Sequence, residues 1–297
     1  MTETYGAVVV GGGIVGTSVG YHLARAGVRS LLIDRDDEGR ATDAGAGVIS
    51  PATSGRTADD EWFDFATDAV GYYPELNDRL EREGAENTSY RRQEAIAAAI
   101  DPDELDPCEE ALRRIDERGI EEIEEIAPGE AVDRFPPLAE PKRAFHHPGA
   151  ARVDGQAFAD ALRTAGRSHG LETLGADVAS LRIRGGAVSG VETDGGRRID
   201  AESVVVAGGA WSPAFSEDLG VDLPVEPHRG QVAHLSLPDV ETASWPIVNG
   251  FRHHYVVPWP EGRIVLGATR EPGSGIDPRR TAGGIEEVLS EGLRVAP

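Results

Sequence analysis

The stretch Tyr5-Gly6-Ala7-Val8-Val9-Val10-Gly11-Gly12-Gly13-Ile14-Val15-Gly16 decides the fold of this chain. Residues 7–10 form a short, β-branched run of the kind that fills the centre of a parallel sheet. Gly11, Gly13 and Gly16 then have the spacing of a dinucleotide-binding turn. The first permits a tight turn, the second leaves room for a pyrophosphate, and the third lets helix and strand pack closely. The stretch predicts a strand, a glycine turn and a helix whose first amides face phosphate.

The residues beyond the turn complete a βαβ unit. Apolar side chains recur at four-residue spacing: Val15, Val19 and Leu23. Gly27 follows at the position of a helix C-cap. Residues 28–33 predict the second strand, which ends at Asp34, where a carboxylate can accept hydrogen bonds from ribose hydroxyls. FAD and NAD are both bound by such units, so the choice between them depends on the rest of the chain.

Apolar spacing also predicts the remaining elements. A helix from about residue 60 toward 83, with a break or kink near Pro74, has an apolar face formed by Trp62, Phe65, Ala66, Ala69, Val70 and Tyr73. Further helices are predicted at 103–118, between an Asp154 N-cap and Gly170, and from about Thr281. The last one is expected to bury Ile285, Val288, Leu289 and Leu293. Strands are predicted at 94–100, 171–174, 178–183, 187–193, 198–201 and 203–207, with a β-rich region at 224–267.

This order of elements predicts an α/β protein of two interleaved domains. A Rossmann-like nucleotide-binding domain is expected to take residues 1–75 and 150–222. Residues 76–149 and 223–297 are expected to form an α+β substrate domain built on an antiparallel sheet.

The chain is strongly acidic. Asp and Glu number 52 against 29 Lys plus Arg, the formal net charge is -23, and Lys142 is the single lysine. Dense carboxylates keep a surface hydrated in concentrated salt, where screening removes their mutual repulsion. We therefore hypothesise a halophilic protein with salt-dependent stability; an ordinary acidic protein from a GC-rich genome is the alternative. Nucleic acid is a poor partner, because such a surface repels phosphate.

The cysteine and histidine residues limit which disulfides, reactive thiols and metal sites the chain can form. Cys108 is the only cysteine, which excludes an intramolecular disulfide and a multi-cysteine metal site. It lies among carboxylates, which raise a thiol pKa, and is expected to be inert. His146, His147 and His228 lack metal-ligand spacing and are expected to be surface or core histidines, so no metal is predicted.

Nothing in the sequence resembles a membrane or leader segment. No stretch of about 18 apolar residues occurs. Residues 1–6 lack a basic region followed by an apolar one. A soluble, cytoplasmic protein without a membrane span is expected.

Four later stretches together indicate a protein family, although no single one of them is specific to it. They are residues 41–49, residues 153–212, Pro227-His228-Arg229-Gly230-Gln231, and Tyr255-Val256-Val257-Pro258 with residues 262–269. Their order and spacing, after the glycine turn, resemble the D-amino acid oxidase superfamily of flavoproteins over nearly the whole chain. The likeness is greatest to its glycine oxidase, sarcosine oxidase and D-amino acid dehydrogenase branch.

The resemblance implies noncovalent FAD. In this family the loop at 41–49 runs under the pyrophosphate and reaches the isoalloxazine, the position of Val178 contacts adenine through its backbone, and the turn at 207–209 lies against the cofactor. Cys108 does not match the late cysteine that tethers flavin in some sarcosine oxidases. The expected cofactor-binding residues are Gly11, Gly13, Ile14, Val15, Gly16, Asp34, Arg35, Thr42, Ala44, Ala46, Gly47, Val48, Val178, Ala207, Gly208, Gly209 and Trp211.

The resemblance also implies an amine oxidoreductase that acts on a small amino acid or an N-methyl amino acid. The reaction would be hydride transfer from the substrate α-carbon to flavin N5, followed by hydrolysis of the imine. A sister flavoenzyme that oxidises a hydroxy acid or glycerol phosphate would share every cofactor motif and stays open as an alternative.

Three side chains are catalytic candidates. Tyr255 matches a tyrosine that faces the substrate in relatives, although a packed strand aromatic would give the same pattern. His254 or its neighbour His253 could bind a carboxylate; since adjacent strand residues point to opposite faces, at most one can point inward. Arg229 could hold a carboxylate bidentately or serve in a structural ion pair.

Relatives continue past the helix that ends here at Ala296-Pro297. Their extra segment carries a Gly-x-Arg-Pro motif and an aspartate, closes the FAD site and supplies an arginine for the substrate carboxylate. We therefore expect a truncated sequence, or a partner chain that supplies the segment; a homo-oligomer is the other assembly considered. A catalytically incomplete FAD-binding fragment is the alternative.

Overall fold

The computed structural model describes residues 4–53, 60–120 and 122–297. Residues 1–3 lie outside these ranges. They belong to the stretch 1–6, for which the sequence analysis predicts no leader segment. The α-helices are α1 (Ile14–Arg25), α2 (Ala41–Ala44), α3 (Asp60–Arg82), α4 (Leu105–Glu117), α5 (Pro128–Arg134), α6 (Gly155–Ser168), α7 (Ser216–Leu219) and α8 (Ala282–Val295). No helix in these ranges is both long and apolar enough to cross a membrane.

The strands are short and belong to four sheets. They are β1 (Thr4–Val10), β2 (Ser30–Asp34), β3 (Val48–Ile49), β4 (Arg91–Arg92), β5 (Ala95–Ala99), β6 (Glu124–Ile126), β7 (Arg143–His147), β8 (Ala151–Arg152), β9 (Glu172–Gly175), β10 (Val178–Arg184), β11 (Ala187–Thr193), β12 (Arg198–Val206), β13 (His228–Arg229), β14 (Val232–Ser236), β15 (Ile247–Gly250), β16 (Tyr255–Pro258), β17 (Arg263–Gly267) and β18 (Glu271–Pro272).

The glycine turn belongs to a six-stranded sheet with the order β10-β11-β12-β1-β2-β9. Strands β12, β1, β2 and β9 are parallel, while β10, β11 and β12 pair as antiparallel neighbours. Val8 and Val9 of the central β1 are fully buried. The predicted βαβ unit is confirmed, because a β-branched run with strands on both sides fills the sheet centre.

Helix α1 buries the face that its apolar spacing indicates only in part, since Val19 and Leu23 are partly buried against the core and Val15 is not. Val15 is 65% exposed, and the buried residues are Gly16, Thr17, Gly20, Tyr21 and Ala24. A methyl group on Gly20 would already lie 3.3 Å from the Leu171 side chain. Small residues let the helix approach the sheet closely, so the larger apolar side chains lie at the edges of the contact.

The strands predicted at 198–201 and 203–207 form one strand, β12. Glu202, which separates the two predicted strands, is an exposed residue of β12. The structure pairs β12 with β1 along its length, from Asp200 to Val206. A charged side chain that faces solvent does not interrupt the hydrogen bonding between two paired strands.

A seven-stranded sheet has the order β14-β17-β16-β15-β5-β7-β6. It is antiparallel except where β15 pairs with β5 in parallel register, so the prediction of an antiparallel sheet is wrong at this pair. Strands β5 and β15 come from distant parts of the chain, and such a connection leaves their relative direction free. One face of the sheet packs on α5 and α8, and the other carries Tyr255, Val257 and Val265.

Helix α8 also differs from its prediction. Ile285 is 44% exposed and Leu293 is 61% exposed, whereas Val288 is buried as expected. A methyl group on Gly292 would lie 2.4 Å from the Leu266 side chain. The helix therefore approaches the sheet along its glycines, and that close contact rotates Ile285 and Leu293 away from the core.

Helix α3 runs unbroken through Pro74, so the predicted break is absent. Phe65 is 72% exposed, and the buried residues are Leu76 and Leu80 in the second half of the helix. Proline removes one helical hydrogen bond, and on an exposed face the freed carbonyl is hydrated.

Candidate cofactor and active site

An open cavity of about 1010 Å³ lies at the carboxyl ends of β1, β2 and β12. It continues to Arg229 of β13 and Tyr255 of β16. Ligands of open α/β sheets bind at the carboxyl ends of parallel strands. One cavity therefore joins the glycine turn to the second sheet.

The glycine turn is too tightly packed for side chains. Gly11 has φ +107°, and a methyl group on it would lie 2.4 Å from the Ala207 carbonyl oxygen. A methyl group on Gly16 would lie 1.8 Å from the Gly11 carbonyl oxygen. The ends of β1, β12 and α1 thus meet backbone to backbone, with their polar edge facing the cavity.

The first turn of α1 offers donors to an anion. Its N-cap is Gly13, which contributes no capping side chain, and the first amides of a helix have no partner within the helix. The Ile14 N–H donates to the Thr42 hydroxyl at 2.9 Å, which fixes the loop of α2 against the turn. The positive end of the helix dipole adds to this preference for phosphate.

Asp34 is held by three donors. Its Oδ2 accepts the Gly12 N–H at 2.5 Å, and its Oδ1 accepts the Asp36 N–H at 2.9 Å and Arg40 Nη1 at 3.1 Å. A carboxylate has about four acceptor positions, so one remains for a hydroxyl in the cavity. Arg40 also pairs with Asp43 at 2.9 Å. Sequence reasoning missed Gly12 and Arg40, although both lie within the motif or directly after it.

Most of the residues predicted to bind the cofactor line the cavity. They are Gly11, Gly13, Ile14, Val15, Asp34, Arg35, Thr42, Ala44, Gly47, Val178, Ala207, Gly208, Gly209 and Trp211. Gly16 lies behind Gly11, and Ala46 and Val48 pack in the apolar cluster that backs the cavity. The structure therefore places these last three behind the wall and not on it.

Tyr255 forms part of the far wall. Its ring packs on Gly267, where a methyl group would lie 2.7 Å from Cε2. Burial raises the pKa of the Tyr255 phenol, which outweighs the opposing charge of Arg270. The hydroxyl stays protonated at neutral pH, and among the described residues it makes no hydrogen bond to protein. A donor is thus available to a molecule in the cavity.

The prediction that His253 and His254 alternate on a strand is wrong. Both lie in the turn before β16, and His253 has φ 66°. His254 Nδ1 lies 2.9 Å from the Arg252 carbonyl, its Nε2 lies 3.3 Å from Glu287 of α8, and it does not line the cavity. Burial lowers the pKa of His253, and Arg270 lowers it further.

Arg229 lines the cavity but is already engaged. Its Nη2 and Nε donate to Glu271 at 2.7 and 3.0 Å, and Nη1 donates to Asp277 at 3.2 Å. Hydrogen bonds from Arg229, Gln231 and Thr269 lower the pKa of Glu271 to about 2. Of the two roles predicted for Arg229, this geometry favours the structural ion pair.

Of the other histidines and the cysteine considered in the sequence, only His228 lies at the cavity. His146 and His147 are buried core residues, as expected, and burial lowers the pKa of His147 to about 4. His228 lines the cavity. Burial, more than neighbouring carboxylates, raises the pKa of the Cys108 thiol to about 11. Across the described ranges, no group of three or more His, Cys, Asp or Glu side chains could hold a metal.

Comparison with known proteins identifies the architecture. The family model described as FAD dependent oxidoreductase (DAO) matches residues 7–297. The chain belongs to the DAO family. It is 39% identical over 293 residues to the uncharacterized oxidoreductase YurR of Bacillus subtilis strain 168, which is 98% of this chain and 78% of that protein.

Two solved DAO-family structures are especially similar. Iminodiacetate oxidase (IdaA) from Chelativorans sp. BNC1 has a TM-score of 0.91 and 38% identity, over 98% of this chain and 79% of that chain. Glycine oxidase from Geobacillus kaustophilus has a TM-score of 0.90 and 28% identity, over 100% of this chain and 79% of that chain. The chain is an oxidoreductase of a family that depends on FAD.

The DAO-family cofactor fits the residues that are present. The glycine turn has no room for side chains, but it presents backbone amides to the cavity. Asp34 keeps one acceptor position for a hydroxyl. The volume of the cavity is at the upper end of the range for ligand pockets. A dinucleotide needs this combination of phosphate donors and a ribose acceptor.

Proposed function

We propose that this chain binds FAD along the cavity and oxidises the C–N bond of a small amino acid or an N-substituted amino acid. The observation that carries the proposal is the single cavity between the Gly11–Gly16 turn and the Tyr255 hydroxyl. The similarity to iminodiacetate oxidase and glycine oxidase supports the same substrate class, since both proteins are named for amines that carry carboxylates.

The position of the cofactor is assigned from the hydrogen-bond donors and acceptors at one end of the cavity. The amides at the start of α1 would hold the pyrophosphate, and Asp34 would accept from the ribose. Val178 would lie at the adenine end, and the turn at 207–209 would lie against the ring system. Residues 1–75 and 150–222 are proposed as the FAD domain, because every strand of the six-stranded sheet falls within them.

The substrate end is assigned by a donor on the cavity wall, Tyr255, and by Arg270, a cation two residues beyond the wall residue Ala268. The Tyr255 hydroxyl would orient the substrate. Arg270 is exposed, its charge acts on both Tyr255 and His253, and within the described ranges no carboxylate pairs with it. Arg270 is therefore a better partner for the substrate carboxylate than Arg229, which Glu271 and Asp277 already engage.

Bound FAD would supply the two-electron acceptor for the amine, and the chain would align the C–H bond and hold the carboxylate. An amine that enters neutral needs no protein base for this step. Water then hydrolyses the imine product to a carbonyl compound and an amine. His253 is neutral near pH 7, because its pKa is lowered, so it adds no competing positive charge.

The direct test is anaerobic reduction of the FAD-loaded protein. Glycine, sarcosine, D-alanine and iminodiacetate are added separately, and loss of the oxidised flavin absorbance is recorded. Bleaching by at least one of them is expected. Bleaching only by lactate or glycerol phosphate, included as comparison compounds, would replace the proposal with the hydroxy-acid alternative, and no bleaching by any compound would end both.

The role of Arg270 is tested with Arg270→Gln and a matched variant, Arg280→Gln, in the exposed loop before α8. Arg270→Gln is expected to raise KM for carboxylate-bearing amines about tenfold, which corresponds to about 1.4 kcal/mol. Reduction by an amine without a carboxylate, such as N-methylbenzylamine, should change little. Equal effects of the two variants would show that only net charge matters.

A further inference from the structure

Two arginines lie against one tryptophan ring outside the cofactor cavity, and a third arginine lies opposite one of them on the neighbouring strand. Arg152 of β8 lies directly opposite Arg91 of β4 in an antiparallel pair. The guanidinium carbons of Arg152 and Arg263 lie 4.4 and 4.2 Å from the centre of the Trp259 ring. Like charges placed opposite each other on neighbouring strands destabilise a sheet. The arrangement has a cost that the tryptophan ring offsets only in part.

In the part of the chain that the structure describes, no carboxylate pairs with the cluster. Arg40, Arg134 and Arg252 show the contrast, because each contacts at least two carboxylates. Within the described residues, none of the three clustered arginines has a carboxylate partner, and Arg152 Nε donates to the amide oxygen of Gln93. What distinguishes this place, in a chain of net charge -23, is that three arginines without a carboxylate partner lie together.

Arg152 is almost fully buried, and its neighbour Arg91 connects it to the surface. Arg91 is exposed, whereas Arg152 is 3% exposed. Burial, with the charges of Arg91 and Arg263, lowers its pKa to about 10, so it is still a cation at neutral pH. A buried cation with two cationic neighbours is stable only with a counter-charge.

We infer that Arg91, Arg152 and Arg263 form a binding site for an oxyanion, the carboxylate or phosphate group of a small molecule. Guanidinium groups bind both kinds of group through paired N–H donors. None of the three residues lines the cofactor cavity, so the site is distinct from the one that holds FAD. Trp259 and Gln93 fix Arg152 in place, which leaves little ordering to be done on binding.

The test uses FAD-loaded protein, so that phosphate cannot act at the pyrophosphate position. Inorganic phosphate and citrate are titrated separately in KCl at constant ionic strength, and the melting temperature and the heat of binding are measured. A saturable rise of the melting temperature with at least one anion is expected. Arg91→Gln, which removes an exposed side chain, should weaken that binding about tenfold or more.

Arg92→Gln is the matched control. Arg92 is the next residue of β4, its side chain points to the opposite face, and its charge acts on His147 instead. Loss of binding in Arg91→Gln but not in Arg92→Gln supports the site. Saturation by phosphate alone or by citrate alone identifies the group that is bound. Saturation by neither anion, or equal weakening in both variants, would overturn the proposal.

Discussion

The two ends of the cavity are built in different ways. At the cofactor end, backbone meets backbone: Gly11, Gly16 and Ala207 are so close that an added methyl group would lie within 2.4 Å of a carbonyl oxygen. At the substrate end, side chains from separate strands meet, among them Tyr255 and the Arg229–Glu271 ion pair. The first end is fixed by local chain geometry, and the second by long-range packing.

This difference predicts how each end responds to substitution. A backbone cradle has no room to adjust, because carbonyl oxygens cannot rotate away from an added atom. A cluster of side chains can rearrange, and exposed ion pairs contribute only about 0–1 kcal/mol each. Substitutions at the cofactor end should therefore have larger effects than those at the substrate end.

The largest effect is expected for Gly16→Ala. The new methyl group would lie 1.8 Å from the Gly11 carbonyl oxygen, and relief requires a shift of the turn. Overpacking of this kind costs about 1–3 kcal/mol, and a loss of about 2.7 kcal/mol in binding free energy corresponds to about 100-fold in affinity. FAD affinity, measured by fluorescence titration of the apoprotein, should fall about 100-fold.

The control is Gly71→Ala, in helix α3, where an added methyl group meets nothing within 4 Å. FAD affinity should be unchanged and stability should rise by about 0.5–1 kcal/mol, because alanine restricts the unfolded chain. Equal FAD binding by Gly16→Ala and the wild type would contradict the expectation that the cofactor end is the more sensitive to substitution.

Asp34→Asn should have the next largest effect. The substitution removes the negative charge that accepts from Gly12, Asp36 and Arg40, and hydrogen bonds to a charged group are worth about 1.5–3 kcal/mol. FAD should bind about tenfold more weakly in the same titration. Glu192→Gln, which breaks the remote pair with Arg198, should leave it unchanged; a similar loss in both variants would assign the effect to net charge.

Glu271→Gln tests the ion pair with Arg229 through the pH dependence of the free energy of unfolding. The pKa of Glu271 is lowered from its ordinary 4.5 to about 2, so its stabilising contribution is complete above about pH 5 and is lost as the pH falls toward 2. The wild type should exceed the variant by about 1 kcal/mol in the free energy of unfolding at pH 7, and the difference should shrink between pH 5 and 2.

The Arg229→Gln variant shows whether Arg229 is the cause. In that background, Glu271→Gln should have a smaller effect at pH 7 and a weaker dependence on acid. A difference between wild type and Glu271→Gln that stays constant from pH 7 to 2 would contradict the assigned ion pair.

The smallest effect is expected from salt. The net charge of -23 repels itself in dilute buffer, and screening by molar KCl removes this term while it weakens the exposed pairs. The melting temperature should rise by a few degrees, since about 1 kcal/mol corresponds to about 2–4 °C at this size. An unchanged or lower value would favour the ordinary acidic alternative over a halophilic protein.

Local sequence predicted the cofactor end well. The β-branched run, the glycine spacing and Asp34 are consecutive features of one βαβ unit, and such a unit makes its contacts within about 30 residues. The partners of Asp34 were not predicted, because the Gly12 amide meets it only when β1 and β2 pair, and Arg40 only when the loop before α2 folds back. The buried faces of α1 and α8 were predicted only in part: Val19, Leu23, Val288 and Leu289 pack inward, whereas Val15, Ile285 and Leu293 are exposed, because close glycine contacts shift the rotation of these helices.

The sequence by itself determined that a strand, a glycine turn, a helix and an acidic strand end form a dinucleotide cradle. The reason is that backbone conformation and helix termini depend on nearby residues. Only the tertiary structure decided that Arg229 pairs with Glu271, that His254 turns toward α8, and that Arg91 and Arg152 are neighbours. Side chains far apart in the chain meet through strand register, which local patterns do not encode.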